Sequence, residues 1–366
     1  MSLLRNTSVR TILATVFLIL AAGLCSALTW QLYTAWALTQ SAERAATLAG
    51  ADKAVFAATY AIRQQRSDVQ GAFQAPGDFA KAVENAHKNA EEHYKAGISA
   101  VEATPGIDAK ALLADVRSHW NPLVTRSREL AELARGGTQR DMRVIDPWYK
   151  AMTDVINGFA GLSLNLSNAV RMTDPTIAEY VQTRQLAWAT RDTGGRECGT
   201  ARPYVGTAKP FTPQARETII DLRARTDATL AQLVDVVARP GVAPELLREV
   251  QTIRDIVAKG KANRDAIYAK LDGSDKPVAS ASGWTEICSA PLDRIYQVAW
   301  VSFDLMLQHV ERVDAAARAR LRVIAAALAA SIAFCAGGLV LIRRRVAIPV
   351  AGLTRTIERL AQRQYD

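Results

Sequence analysis

Residues 53–73, KAVFAATYAIRQQRSDVQGAF, indicate how this chain of 366 residues folds. Side chains at alternating steps of four and three lie on one face of an α-helix, and here most of them are apolar. The face consists of Val55, Thr59, Ile62, Arg66, Val69 and Phe73. The pattern predicts a long helix packed in a bundle. A lone guanidinium buried at position 66 would cost roughly several kcal/mol, so we expect an anion to meet it.

A second helical face carries two more arginines in the same kind of position. Its members are Ile177, Val181, Arg184, Trp188 and Arg191. The arginine fork donates paired hydrogen bonds to planar anions, and a tryptophan between two arginines can wall a pocket. We therefore expect a ligand site that contains Arg63, Arg66, Arg184, Trp188 and Arg191.

The alternative is that these arginines pair with carboxylates or extend along the protein surface. Asp68 and Asp192 are candidate partners in the sequence. Arg264 also interrupts an apolar helical face, which shows that the pattern alone does not decide between a ligand and an ion pair.

Two uncharged stretches, residues 11–30 and 323–342, have the length of about 20 residues that a membrane-spanning helix needs. A cleaved signal peptide and a buried core helix are the respective alternatives. We expect five segments along the chain. They are an N-terminus (1–10), a first transmembrane helix (11–32), a periplasmic helical sensor domain (33–321), a second transmembrane helix (322–342) and a linker (343–366).

Arginines beside the two spans predict the orientation of the chain. Arg5 and Arg10 precede the first span, and residues 343–345 (RRR) follow the second, so both termini are expected in the cytoplasm of a bacterium with the protein in its inner membrane. Arginines at positions 318, 320 and 322, on the outer side of the second span, weaken this rule.

The four cysteines fit that topology. Cys25 and Cys335 lie in the spans. Cys198 and Cys288 lie between them, where an oxidising compartment would allow a disulfide that closes a loop of about 90 residues. Two free thiols are the alternative.

No strand pattern appears between the spans, where Pro, Gly and N-capping residues divide the chain at helical lengths. Asp174-Pro175 and Thr212-Pro213 are expected cap and first-turn pairs. Segments 194–211 and 272–283 are expected to be loops. The predicted helices are 33–74, 78–103, 108–134, 146–172, 175–193, 212–238, 243–271 and 290–321. The predicted fold is all-α, with two transmembrane helices flanking an elongated periplasmic double four-helix bundle.

After the second span, a proline near a helix start (Pro349) is followed by Leu353, Ile357 and Leu360 at heptad spacing. This segment resembles the first helix of a HAMP linker, which relays signals from receptor spans to cytoplasmic domains. Arg363 and Gln364 stand where that family usually has Gly-Asp. The resemblance implies that the sequence is part of a larger receptor, truncated before the second HAMP helix.

The layout of spans, helical external region and linker is similar to that of methyl-accepting chemotaxis receptors and sensor kinases. Residues 62–66 (IRQQR) and 184–196 (RQLAWATRDTGGR) resemble the arginine-bearing helices of nitrate- and nitrite-sensing domains. That resemblance implies an anion held by Arg63 or Arg66 and by Arg191 or Arg196. A helical bimodular sensor of organic acids fits the size equally well.

These resemblances imply a homodimeric receptor that signals to a cytoplasmic chemotaxis kinase and its coupling protein. The input half of a histidine kinase or a diguanylate cyclase is an alternative, as is a protein-interaction module without a small ligand. The net charge of +9 comes without a basic stripe with interleaved aromatics, so nucleic-acid binding is not expected. The four histidines lack metal-site spacing, and we expect no catalytic residues, metal or cofactor in this segment.

Overall fold

The structure, a computed structural model, describes residues 9–74, 77–136, 142–271 and 276–361. Within those ranges every regular element is helical, which confirms the all-α prediction. The α-helices are α1 (Val9–Gln74), α2 (Ala80–Glu102), α3 (Lys110–Leu133), α4 (Asp146–Val170), α5 (Pro175–Thr207), α6 (Pro213–Val237), α7 (Pro244–Tyr268), α8 (Ala281–Trp284), α9 (Ala290–Asp293), α10 (Tyr296–Ile342) and α11 (Ile348–Ala361). A 3₁₀ turn (Met142–Val144) precedes α4, and π-helical turns (Thr285–Ser289 and Arg343–Ala347) follow α8 and α10.

Helices α1 and α10 each contain a stretch long and apolar enough to cross a membrane. The mean hydropathy of these stretches is 1.7 and 2.3, and 0% and 6% of their residues are buried in the protein. A core helix of a soluble domain would bury such residues, because removal of apolar surface from water is the main driving force of folding. The two stretches are therefore candidate membrane spans. Arg5, one of the residues used to orient them, lies outside the described residues.

The chain divides into two compact units. One contains the residues up to Glu43 and from Glu311 onward, and the other is Arg44–Val310. The second unit holds two apolar clusters. The first is formed by side chains of α1 to α4, the start of α5 and part of α10, and includes Phe56, Trp148 and Phe303. The second is formed by the rest of α5, α6, α7 and the segment around Trp284 and Leu292.

The predicted helix caps are present at two boundaries. The Asp174 side chain accepts hydrogen bonds from the backbone amides of Thr176 and Ile177, and Thr212 accepts one from the amide of Ala215. Each occupies the position directly before a proline in the first turn, where a side-chain oxygen satisfies amides that have no partner within the helix.

The prediction of a loop at residues 194–211 is wrong for residues 194–207, because α5 continues to Thr207. Each glycine in a helix costs roughly 1 kcal/mol relative to alanine. Here packing offsets that cost, since Cys198, Ala201 and Val205 are buried in the second apolar cluster. At Gly194, a Cβ atom would lie 3.0 Å from Leu292, so the glycine permits close packing there. The predicted loop at 272–283 is also partly helical, because α8 begins at Ala281.

The linker segment forms α11 directly after the π-helical turn that follows α10. Residues 362–366, which include the departures from the HAMP pattern at Arg363 and Gln364, lie outside the described residues.

Candidate functional site

Four arginines from two helices line one small cavity in the Arg44–Val310 unit. Arg63 and Arg66 come from α1, and Arg191 and Arg202 come from α5. We call them the arginine cluster. Tyr149 of α4 also lines the cavity, whose volume is about 40 Å³. A water needs roughly 10–15 Å³ on this measure, so the space suits an ion of a few non-hydrogen atoms.

The sequence of α5 explains why two of these guanidiniums can approach α1. Arg191, Gly195, Gly199 and Arg202 follow one another at steps of four, four and three, which places them on one helix face. A Cβ atom at Gly195 would lie 2.1 Å from Nη2 of Arg63 and 2.2 Å from Nη1 of Arg191. A side chain there would require both guanidiniums to move. The glycine is therefore the reason that both guanidiniums reach the same place.

Each arginine of the cluster has partners, but they differ in charge. Nη1 of Arg63 lies 3.2 Å from Asp192, and Nη2 of Arg191 lies 2.5 Å from Asp293. Arg66 instead donates to the neutral hydroxyl of Thr153 (2.7 Å). The guanidinium of Arg66 also lies 4.7 Å from the centre of the Tyr149 ring, a cation–π contact.

Arg202, the fourth member, donates to the hydroxyl of Thr285 at 3.1 Å. Asp192 is shared, because Arg196 also lies 3.0 Å from it. Within the described residues, two carboxylates, Asp192 and Asp293, lie at ion-pair distance from guanidiniums of the cluster.

Burial and neighbouring charges shift the pKa values of nearby groups in both directions. At Arg63, burial lowers the pKa, but interactions with Tyr296, Asp192 and Asp293 outweigh it and raise the pKa. Burial lowers the pKa of Arg66, and the positive charge of Arg63 lowers it further. Burial also lowers the pKa of Arg202. At Asp68, burial and then the carboxylate of Asp293 raise the pKa. An anion in the cavity would relieve the repulsion between the guanidiniums.

At least one donor of the cluster has no hydrogen-bond acceptor within the described part of the chain. Nη1 of Arg191 is fully buried there without a partner. A buried donor left unsatisfied costs about 1–3 kcal/mol, more when it is charged. Arg63 and Arg191 are 7% and 6% exposed. Water therefore cannot supply a missing acceptor unless these side chains move.

Arg184, which the sequence places with this group, lies in a different environment. Its Nη2 is 2.9 Å from Asp52, and both oxygens of that carboxylate also accept hydrogen bonds, from Ser163 (2.6 Å) and Ser167 (3.0 Å). Arg184 in turn donates to the same two serine hydroxyls. The structure therefore brings Arg63, Arg66 and Arg191 together and gives Arg184 a dedicated buried carboxylate.

Trp188 lies beside the arginine cluster without lining its cavity. The guanidinium of Arg63 is 5.7 Å from the centre of the Trp188 ring. On its other side, the indole meets Phe56 edge to face, with ring centres 5.8 Å apart. Trp188 thus contributes a cation–π contact that orients one arginine of the cluster.

Arg264 is also accounted for by an ion pair. In the second apolar cluster its Nε lies 3.1 Å from the fully buried carboxylate of Glu197, which Arg223 approaches to 2.7 Å. The hydroxyl of Tyr268 donates to the same oxygen at 3.2 Å, and burial, followed by the charge of Glu197, raises the pKa of this phenol.

Cys198, the next residue along α5 from Glu197, forms a disulfide with Cys288. Its carbonyl oxygen accepts a hydrogen bond of 3.0 Å from the indole of Trp284. The disulfide therefore ties α5 to the segment between α8 and α9, close to the residues that supply Asp293.

Sequence reasoning missed Arg202 because it fell in the segment predicted to be a loop. The signal was present, since Arg202 lies eleven residues after Arg191, or three helical turns, with two glycines between them on the same face. Tyr149 and Asp293 carried no comparable signal, because they come from other helices and only the tertiary fold places them here.

Within the residues that the structure describes, no group of three His, Cys, Asp or Glu side chains is placed to bind a metal ion. Comparison of the chain with protein-family models, curated proteins and solved structures finds no match.

Proposed function

We propose that this chain is the input half of a homodimeric transmembrane signal receptor that binds a small anion at the arginine cluster. The HAMP-like helix α11 would relay the signal to a cytoplasmic chemotaxis domain. The observation that carries the proposal is the convergence of arginines from α1 and α5 on one small cavity, where Nη1 of Arg191 is buried without an acceptor among the described residues. A buried guanidinium donor without an acceptor is costly for stability alone and favourable for anion recognition.

The dimensions of the cavity favour a small planar oxyanion. A volume of about 40 Å³ admits nitrate, nitrite or a small carboxylate and excludes drug-sized ligands. Planar oxyanions accept pairs of parallel hydrogen bonds from guanidinium groups, which Arg63 and Arg191 supply from opposite helices. Arg66 and Arg202, which also line the cavity, would add positive charge to the binding site.

The ion pair between Arg191 and Asp293 suggests how binding would produce a signal. Asp293 is the last residue of α9, and Tyr296, three residues later, begins α10. A bound anion would compete with Asp293 for Arg191, whose guanidinium also lies 5.3 Å from the Tyr296 ring centre. The anion would favour a state in which the start of α10 is released from α5, and only this difference in affinity can drive the change.

Calorimetric titration of the full chain in phospholipid nanodiscs with nitrate, nitrite and succinate tests the proposal. We expect saturable binding of at least one of these anions, weakened about tenfold or more by Arg202→Gln, which corresponds to about 1.4 kcal/mol. Arg225→Gln is the matched control, because its side chain is 65% exposed and pairs with Asp221 within α6. That variant should bind as the unchanged protein does. No heat with any anion, or equal affinity in both variants, would refute the proposal.

A further inference from the structure

A second cavity, of about 280 Å³, lies against α1, α4 and α5, and it shares no lining residue with the arginine cluster. Its apolar wall includes Phe56, Ala160, Leu164 and Trp188. Ligand pockets of proteins begin at about 300 Å³ and are mostly apolar with a few placed polar groups. This cavity has the size and lining of a site for a molecule with a single aromatic ring.

The charge beside this cavity is already neutralised. Arg184 lines it, and its guanidinium is paired with Asp52, which is fully buried and held by Ser163 and Ser167. The carboxylate of Asp52 would repel an anion in the cavity, and the guanidinium of Arg184 would repel a cation. Neither charge gains enough here to repay its loss of hydration. The lining therefore favours a neutral ligand.

The polar groups of the lining determine which hydrogen-bonding groups a neutral ligand should carry. The hydroxyl of Thr59 donates to the carbonyl oxygen of Val55 at 2.8 Å, so its oxygen remains as an acceptor. The Gln185 side chain adds an amide that can both donate and accept. Phe56 and Trp188 present aromatic surfaces at an interplanar angle of 75°, an arrangement suited to a third ring.

We propose that this cavity binds a small neutral aromatic molecule that carries one hydroxyl group. The ring would pack against Phe56 and Trp188 on their cavity side, and its hydroxyl would donate to Thr59. The proposal goes beyond anion sensing, because it assigns the receptor a second ligand of a different chemical class.

Fluorine NMR of 4-fluorophenol added to the full chain in phospholipid nanodiscs tests this site. The probe is neutral at pH 7, since phenols of this type ionise near pH 10. We expect a shift that saturates with protein and is not given by empty nanodiscs, which report partition into lipid. 4-Fluorobenzoate, which has the same ring and a negative charge, should give no saturable shift.

Filling the cavity should abolish the signal. Ala160→Phe places a ring in the space and should weaken binding at least about tenfold. Ala231→Phe adds the same ring at an exposed position on α6 and should bind as the unchanged protein does. Leu164→Trp, at a rim residue that is 54% exposed, blocks the cavity without touching the core and serves if Ala160→Phe does not fold.

A shift that does not saturate, or one that persists unchanged in the folded cavity-filled variants, would refute the second site. Excess nitrate should leave the 4-fluorophenol shift in place, because the two cavities have no lining residue in common. The anion site and the aromatic site are therefore tested separately, and either proposal can fail while the other holds.

Discussion

Replacement of Gly195 by alanine should separate anion binding from stability. The added Cβ atom would lie 2.1 Å from Nη2 of Arg63 and 2.2 Å from Nη1 of Arg191, well inside contact distance. Both atoms are the far ends of flexible side chains, so the guanidiniums can move away while α5 stays in place. Once they have moved, the two guanidiniums no longer have the geometry in which both could donate to one ligand.

The magnitude follows from the hydrogen bonds at stake. A hydrogen bond to a charged group contributes about 1.5–3 kcal/mol, so loss of even one donor weakens binding roughly tenfold or more. At the same time, alanine has a helix propensity about 0.8–1 kcal/mol better than that of glycine, which offsets part of the strain. We expect Gly195→Ala to retain its fold, to change its free energy of unfolding by about 1 kcal/mol or less, and to lose anion affinity.

Gly206→Ala is the matched control, because it lies in the same helix and a Cβ atom there would meet nothing within 4 Å. It should gain stability from helix propensity and bind anions as the unchanged protein does. Anion titration by calorimetry and thermal unfolding followed by circular dichroism measure the two effects separately. Unchanged nitrate affinity in Gly195→Ala would refute the idea that Arg63 and Arg191 act together on one ligand.

Three further predictions concern stability. Asp52→Ala leaves the buried guanidinium of Arg184 without its carboxylate and should lower the free energy of unfolding by about 3–5 kcal/mol. The double variant Asp52→Leu with Arg184→Met should recover most of that loss, and urea unfolding of both proteins measures the difference. Reduction of the Cys198–Cys288 disulfide, with a sequence separation of 90, should cost up to about 4–5 kcal/mol in the loop-entropy model, and a melting temperature insensitive to reductant would contradict it. Burial lowers the pKa of His87, so the unfolded chain binds a proton more readily than the folded one. The neutral, buried imidazole therefore contributes fully to stability above the unfolded pKa of about 6.5, and this contribution is lost as the pH falls below that value. The free energy of unfolding of His87→Asn should depend less on pH between pH 7 and 5.

The helices could be predicted from the sequence because their signals are local. Apolar periodicity, the two uncharged stretches and the Asp-Pro and Thr-Pro caps depend only on residues close together in the chain. The error at residues 194–207 has the same origin, since glycine and proline are read as breakers unless tertiary packing repays their cost. At Gly195 the missing side chain makes room for the guanidiniums of Arg63 and Arg191, which are 128 residues apart in the sequence. No local rule contains that information.

The difference between the buried arginines bears on how such sites are recognised. Arg184 and Arg264 each meet a fully buried carboxylate, Asp52 or Glu197. Because a guanidinium with its own buried counter-charge gains little from a further anion, those two arginines serve the packing of α5 against its neighbours. At the cavity lined by Arg63 and Arg191 the paired carboxylates are instead partly exposed, 25% for Asp192 and 33% for Asp293, so an anion can compete with them. Interruption of an apolar helical face thus indicates a buried charge, and the burial of its counter-charge distinguishes a structural ion pair from a place for a ligand.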